Sequence, residues 1–240
     1  MDLFLNSSAK MTEHTYRQRF TLIEMLIVVG IASLLFALLG PAFTRMTQSR
    51  AVEQHASGLK LGMERARAIA VAQRRFVAML LPDKKITNDA NIDKFRHGGY
   101  RLAFVTQDVS NIPTAIDSSK GFSFDSWIAE EEWRNSGKGK AHLVGISTTN
   151  SPSPALMPEE TQITEDYEVE FKNKSTLSKL SMDISGAKEE FACLLFTPNG
   201  DVKTAVDSDS ELYFWVCSEF FYNQQKIRLN KINGKVEYVE

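Results

Sequence analysis

The sequence predicts an α+β protein in which one long N-terminal helix packs on a mostly antiparallel β-sheet. Residues 20–43 form an apolar run, and residues 44–75 continue it as an amphipathic helical pattern. Short β-rich runs separated by turn signals fill the remainder of the 240 residues. Because the strands follow the helix and do not alternate with further helices, the order is typical of α+β proteins and not of βαβ units.

The apolar run is long enough to cross a membrane and contains a single charged residue, Glu24. A helix that rises about 1.5 Å per residue needs roughly 20 residues to span the hydrocarbon layer. A carboxylate in that layer costs about 2.5–3.5 kcal/mol and normally marks a function. It stays charged beside an ammonium group, whereas an isolated buried carboxylate takes up a proton. We therefore predict a cationic partner for Glu24; an ordinary membrane anchor with a stray glutamate is the alternative.

The chain carries the string FTLIE at positions 20–24, followed by the span and by a proline. This pattern resembles the class III signal and N-terminal helix of type IV pilins and type II secretion pseudopilins. The resemblance implies that the prepilin peptidase, a membrane aspartyl enzyme, cuts between Arg19 and Phe20 and that the amine of Phe20 is then methylated. It also implies that Glu24 pairs with the amine of a neighbouring subunit and that Pro41 bends the helix. The peptidase prefers glycine where this chain has Arg19.

The same resemblance divides the chain into segments. It implies a leader over residues 1–19, or a nine-residue leader that begins at Met11, and a transmembrane assembly helix over residues 20–43. An amphipathic continuation over residues 44–75 leads into a head domain over residues 76–240. Basic residues on both sides of the span orient it only weakly. The resemblance implies an N-terminus in the cytoplasm, a single pass through the bacterial inner membrane and a periplasmic or extracellular head.

The amphipathic continuation carries apolar residues spaced alternately four and three positions apart, which predicts one buried helix face. Gly58 and Gly62 each cost this helix up to about 1 kcal/mol relative to alanine, so packing must offset them. We expect core packing from Val52, Ala56, Leu59, Met63, Ala66 and Ala70.

Eight β-rich runs follow the helix. Asn233-Gly234 predicts a type I′ hairpin turn, because both central residues of that turn need a positive φ. A second turn is predicted at residues 198–201. The predicted strands are residues 76–81, 99–106, 142–147, 167–171, 191–197, 211–221, 226–232 and 235–239.

Three further segments refine the resemblance. Residues 66–70 at the predicted helix end, residues 195–202 and residues 232–236 resemble the H-type minor pseudopilins (GspH) and FimT-like pilins. Residues 82–165 match no pattern of that family, and we interpret them as an expanded loop or additional strands.

Enzymatic and metal-dependent functions are not expected. The four histidines do not lie at metal-ligand spacing, no phosphate loop or dinucleotide fingerprint occurs, and no cofactor is predicted. Three consecutive glutamates at positions 130–132, between Trp127 and Trp133, suggest a carbohydrate site with paired carboxylates. A solvated acidic turn beside two packing tryptophans is the simpler interpretation.

Two smaller features remain open from the sequence. Cys193 and Cys217 form a disulfide if their strands are neighbours in the extracytoplasmic compartment that the resemblance implies, and otherwise stay buried thiols. A basic cluster near the helix end suits phosphate contacts, as in DNA-uptake pilins, or a charged solvent face and subunit contacts. It comprises Arg65, Arg67, Arg74 and Arg75.

The resemblance implies a minor pilin or pseudopilin, a structural subunit of a type II secretion pseudopilus or a type IV pilus. Its partners would be the prepilin peptidase, other pilin subunits and the inner-membrane assembly platform. The net charge of −2 gives no overall basic field for nucleic acid, which is not an expected partner. Two alternatives stay open: a membrane-tethered adhesin or DNA-uptake pilin whose head binds a ligand, and an anchored monomer that never polymerises.

Overall fold

The computed structural model describes nine stretches of the chain. These stretches contain one α-helix and eleven strands. The described residues are 21–82, 99–107, 121–129, 131–135, 141–150, 176–184, 187–205, 210–218 and 224–239. The predicted strand at residues 167–171 lies outside them. The chain separates into two compact units, Met1–Thr44 and Arg45–Glu240, and the helix contributes residues to both.

The elements follow the predicted order of one long helix and then strands. Helix α1 spans Leu22–Gln73 and is 52 residues long. The strands are β1 (Phe76–Leu81), β2 (Gly99–Gln107), β3 (Phe122–Trp127), β4 (Arg134–Asn135), β5 (Ala141–Ser147), β6 (Ser178–Ile184), β7 (Ala187–Phe196), β8 (Val202–Lys203), β9 (Glu211–Ser218), β10 (Gln224–Asn230) and β11 (Val236–Val239).

Within the described residues, the β part of the second unit consists of two antiparallel sheets. The first has the order β3-β2-β1-β7-β6, with the short strands β4 beside β2 and β8 beside β7. The second has the order β11-β10-β9-β5. The α+β class predicted from the sequence is confirmed.

The main core lies between α1 and both sheets. All six residues of the predicted helical stripe are buried, and none is more than 2% exposed. They pack with side chains of β1, β2, β5, β7, β9, β10 and β11 in one apolar cluster. Since burying a side chain of the size of leucine or methionine contributes about 1.5–3 kcal/mol, this stripe is the principal attachment of the helix to the sheets. The prediction of core packing is confirmed.

A second apolar cluster lies on the other face of the first sheet. Its outer strands β3 and β6 both contribute to it and approach within 8 Å between Cα atoms, so the sheet curls around the cluster. Phe122 packs edge-on against Phe76, and Trp133 packs against Phe191 with ring centroids 5.8 Å apart. The curl buries aromatic side chains that an open sheet would expose to water.

Four of the strands were not among those predicted. β3 and β6 both carry a period-two pattern: Phe122 and Phe124 alternate with polar residues, as do Leu180 and Met182. That alternation is the signal that identifies them. β4 and β8 have two residues each, which is too short for any periodicity to show.

The hairpin at Asn233-Gly234 is present, but the predicted type I′ turn is wrong. Gly234 has a φ of 64°, whereas Asn233 does not have a positive φ. The connection is longer because the side chain of Asn230 accepts hydrogen bonds from the N–H groups of Ile232 (3.0 Å) and Asn233 (3.2 Å). A side chain that binds backbone groups in this way favours a wider turn over the two-residue form. The predicted turn at residues 198–201 is confirmed, with Gly200 at a φ of 87°.

Gly62 lets α1 approach β2 closely. A Cβ atom at this position would lie 2.6 Å from Cζ of Tyr100, whose ring is 4% exposed. Packing against Tyr100 therefore requires glycine at this position. This contact offsets the unfavourable helix propensity of glycine.

The residue that follows the last residue of α1 is an arginine whose backbone has a left-handed conformation. Arg74 has a φ of 53°, and the N–H of Arg75 donates to the carbonyl of Ala70 at 3.2 Å. This is the six-residue hydrogen bond of a Schellman motif, in which glycine usually occupies the position of Arg74. A side chain with a Cβ pays a steric cost there that glycine avoids.

Two histidines are buried in the second unit. His55 on α1 has no exposed surface, and His142 on β5 is 7% exposed. Burial, with a smaller contribution from the charge of His142, lowers the pKa of His55 to about 3. His55 is therefore neutral in the folded protein at physiological pH.

We predict that Gly62→Ala destabilises the fold by about 1–3 kcal/mol, because the new methyl group overpacks against the Tyr100 ring. Helix propensity alone would predict a gain of up to about 1 kcal/mol. Chemical unfolding of the full chain in detergent measures the change. Ser57→Ala, at an exposed position of the same helix, is the control and should change stability by less than about 0.5 kcal/mol. A Gly62→Ala variant more stable than the parent would contradict the close approach.

We predict that Arg74→Gly stabilises the fold by about 0.5–1 kcal/mol, because glycine adopts the left-handed conformation without steric cost. The melting temperature should rise by about 1–4 °C for a protein of this size. Arg74→Ala retains a Cβ and should give no such rise. Equal melting temperatures for the two variants would show that the positive φ carries no strain.

We predict that acid weakens the fold through His55. Its pKa is about 3 when folded and 6.5 in the reference state, so below pH 6.5 the unfolded chain binds a proton that the folded chain does not. Stability contributed by the neutral ring is complete above that pH and falls by up to about 1.4 kcal/mol per pH unit below it. Urea unfolding between pH 7.5 and pH 5 measures the slope. His55→Gln should lower the slope by the equivalent of about one bound proton. An unchanged slope would refute the assignment of the pH dependence to His55.

Candidate assembly site in the N-terminal helix

The first part of α1 exposes a continuous apolar surface within the described residues. Leu22–Phe43 is a 22-residue segment and, within the described residues, the one helix long and apolar enough to cross a membrane. Its large side chains are strongly exposed, with Leu22 at 84% and Phe36 at 75%. At about 1.5 Å per residue the segment is roughly 33 Å long, which matches a hydrocarbon layer of about 30 Å. Such a surface requires lipid or other apolar helices around it.

Glu24 lies in the first turn of this helix and is bound to Thr21. Its Oε2 atom accepts hydrogen bonds from the backbone N–H of Thr21 at 2.9 Å and from the Thr21 hydroxyl at 3.1 Å. The N–H of Glu24 in turn lies 3.3 Å from Oγ1 of Thr21. With α1 beginning at Leu22, Thr21 is the N-cap and Glu24 the third helical residue. This reciprocal pattern is a capping box.

The capping box uses only part of the bonding capacity of the carboxylate. An ionised carboxylate offers about four acceptor sites on two oxygens. Thr21 occupies Oε2, and within the described residues Oε1 accepts no hydrogen bond. The first turn of the helix therefore presents an available carboxylate oxygen directly beside the residue that follows Phe20. Thr21 was not among the predicted site residues, although the Thr-x-x-Glu spacing of a capping box identifies it.

The other predicted residues of this segment have mixed outcomes. Arg19 and Phe20 lie outside the described residues, so cleavage and methylation there stay predictions. Helix α1 continues without interruption through Pro41. Because proline has no N–H, one hydrogen bond of the helical ladder is missing there; a bend at this point stays a prediction.

The glutamates between the two tryptophans do not form a paired carboxylate site. Glu130 lies outside the described residues, and Glu132 is exposed. The side chain of Glu131 is 1% exposed and forms ion pairs with Arg65 on α1 and with Nε of Arg134 at 3.3 Å. The interpretation of Glu131 as part of a solvated turn is therefore wrong. Its carboxylate ties the helix to the segment that precedes β4.

The tryptophans serve packing, as the sequence suggested. The guanidinium of Arg101 lies 3.7 Å from the centroid of the Trp127 ring and covers that face. Trp133 packs against Trp127 at 6.1 Å and against Phe191 at 5.8 Å between ring centroids. These contacts occupy ring surfaces on which a sugar would have to stack.

Two of the four arginines of the basic cluster form ion pairs with carboxylates of β3 and of the segment that precedes β4. Arg65 pairs with Glu131, and Arg75 pairs with Asp125 while its guanidinium lies 4.0 Å from the centroid of the Phe104 ring. Arg67 and Arg74 form no ion pair in the part of the chain that the structure describes. The four charges therefore do not act as one surface for a phosphate backbone.

The two cysteines are free and lie in different sheets. Cys193 on β7 is opposite Leu80 and Ser178, and Cys217 on β9 is opposite His142. Burial raises the pKa of both thiols, that of Cys217 to about 12. Both are thus neutral and unreactive at physiological pH. No group of three or more metal-ligating side chains occurs within the described residues.

Known proteins resemble this chain only distantly. No protein-family model matches it, and no curated protein does. Among solved structures, the type IV minor pilin FimU of Pseudomonas aeruginosa covers 81% of this chain and 92% of its own at 13% identity, with a TM-score of 0.40. A second crystal form of FimU gives 14% identity, 78% and 92% coverage and a TM-score of 0.36. The minor pseudopilin EpsH from the type 2 secretion system of Vibrio cholerae gives 9% identity, 78% and 95% coverage and a TM-score of 0.35. At these identities and TM-scores, the likenesses assign no function to this chain.

Proposed function

We propose that this chain is a minor pilin or pseudopilin, a structural subunit of a type II secretion pseudopilus or a type IV pilus. The observation that carries the proposal is an exposed apolar segment of 22 residues at the start of α1 whose first turn holds a carboxylate. In a plain membrane anchor the carboxylate would only cap the helix, and glutamine would do so without placing a charge in the membrane. A subunit that must recognise a cationic chain end within lipid requires it.

The capping box supports a two-step use of Glu24. Before assembly, the two donors of Thr21 satisfy one carboxylate oxygen and reduce the cost of placing the charge in the membrane. The other oxygen remains available to an ammonium group. Cleavage by the prepilin peptidase between Arg19 and Phe20 creates that ammonium group at the correct depth on every processed subunit.

Assembly then follows from the physics of the exposed helix. As a subunit leaves the inner membrane, its apolar side chains exchange lipid for the helices of its neighbours, with close packing as the favourable term. An ion pair between Glu24 and the methylated amine of Phe20 on an adjacent subunit fixes the register between helices. A charge in low dielectric that lacks its partner is strongly unfavourable, so misplaced registers are rejected.

We predict that Glu24→Ala and Glu24→Leu leave membrane insertion intact and reduce incorporation into filaments at least about tenfold, the equivalent of about 1.4 kcal/mol. The amount of the chain in sheared filaments, relative to the membrane fraction of the native host, measures incorporation. Ser33→Ala is the matched control, because the Ser33 hydroxyl donates to the carbonyl of Val29 on its own helix at 2.8 Å. Normal incorporation of both Glu24 variants would rule out charge pairing.

Intact-mass and N-terminal analysis of the native protein tests processing independently. A mature chain that begins with N-methylated Phe20 is expected. A chain that retains its leader would mean that Arg19 blocks the peptidase and that the helix is a permanent anchor.

A further inference from the structure

Both Asn-Gly dipeptides of this chain lie in turns of the head. Asn199-Gly200 lies between β7 and β8, and Asn233-Gly234 lies between β10 and β11. Both asparagines are exposed, and both glycines have a positive φ. Asparagine is a chemically labile residue. It is most labile before glycine, which has no Cβ to keep its backbone nitrogen away from the preceding side chain.

The reaction open to an Asn-Gly dipeptide is loss of ammonia followed by hydrolysis. The glycine nitrogen attacks Cγ of the asparagine, and its proton passes through water to the side-chain nitrogen. The Cγ–Nδ2 bond then breaks, ammonia leaves and a succinimide ring remains. Water opens the ring at Cγ to give aspartate, or at the main-chain carbonyl to give isoaspartate. The sum consumes one water molecule, releases one ammonia molecule and needs no oxidant.

The turn at Asn233 holds the side chain that would have to react. Oδ1 of Asn233 accepts a hydrogen bond from the N–H of Lys235 at 2.9 Å. The N–H of Asn233 itself donates to Oδ1 of Asn230 at 3.2 Å. To meet the nitrogen of Gly234, the side chain must rotate and give up its bond to Lys235, which raises the barrier to attack.

The side chain of Asn199 is less restrained. Its backbone N–H lies 3.2 Å from Oγ1 of Thr197, but its side-chain amide forms no hydrogen bond within the described residues. The attacking nitrogens are equally restrained in the two turns: Gly200 donates to the carbonyl of Thr197 at 2.9 Å, and Gly234 donates to that of Asn230 at 2.8 Å. The two sites therefore differ in the freedom of the asparagine side chain.

The turn at Asn199 has little room for a longer backbone. Isoaspartate inserts one additional atom into the main chain between residues 199 and 200. The turn is closed by the N–H of Thr197, which donates to the carbonyl of Asp201 at 2.9 Å next to the paired ends of β7 and β8. A Cβ at Gly234 would lie 2.3 Å from the carbonyl oxygen of Gly200, so the two turns are in contact. A longer backbone at Gly200 disturbs both contacts.

We propose that Asn199 is a site of spontaneous deamidation in the folded chain, ahead of Asn233, and that its isoaspartate product loosens the contact between the two turns. The substrate is the side-chain amide of Asn199, and the co-reactant is water. The proposal concerns the chemical lifetime of the head and is independent of the proposed function.

Peptide mapping by mass spectrometry tests the order of reaction. The full chain is incubated in detergent at mildly alkaline pH, in parallel folded and unfolded in urea. In the folded chain, Asn199 should react at least about tenfold faster than Asn233. In urea the two rates should be similar, because both residues precede glycine. Asn230→Ala removes an acceptor that holds the second turn, so it should raise the rate at Asn233 and leave that at Asn199 unchanged.

Thermal unfolding of aged protein tests the consequence. The melting temperature of the parent should fall as isoaspartate accumulates. Asn199→Gln should retain its melting temperature, because glutamine cyclises much more slowly, whereas the matched control Asn233→Gln should lose stability as the parent does. Equal rates at the two sites in the folded chain, a faster reaction at Asn233, or no product at Asn199 would overturn the assignment of the site. An unchanged melting temperature after reaction at Asn199 would overturn the loosening of the turns.

Discussion

The structure depends on the burial of one helical stripe between two sheets. The six residues from Val52 to Ala70 join side chains from both sheets in a single core. Neither sheet has another long element to cover its apolar face within the described residues. Removal of the helix would therefore expose the apolar faces of both sheets to water. Because that exposure is unfavourable, the helix and the two sheets stay together as one unit.

The two parts of α1 differ in what must cover their apolar side chains: the sheets cover the buried stripe, and the first part needs another apolar environment. Its first part, Leu22–Phe43, exposes apolar side chains that lipid or other helices must cover. In that environment every polar group needs a partner, because no water is present to replace one. Thr21 is the partner that the chain itself supplies to Glu24. In the proposed function, the carboxylate oxygen that Thr21 does not bind accepts the ammonium group of a second subunit.

Contacts distant in sequence explain two residues that local preference does not favour. Gly62 weakens the helix but admits the ring of Tyr100. Glu131 is a buried charge whose cost is offset by two arginines from different elements. In each case a local cost is retained because a contact distant in sequence depends on it.

The sequence by itself determined the long apolar helix, the buried stripe, the α+β class and most of the strands, because these follow from composition and periodicity within short windows. It also contained the Thr-x-x-Glu spacing of the capping box that Thr21 and Glu24 form. Only the tertiary structure decided the partner of Glu131, the sheet in which each cysteine lies and the curl that brings β3 to β6. These contacts depend on strand order and register. Strand order and register depend in turn on packing between segments far apart in the chain, which a local sequence pattern does not encode.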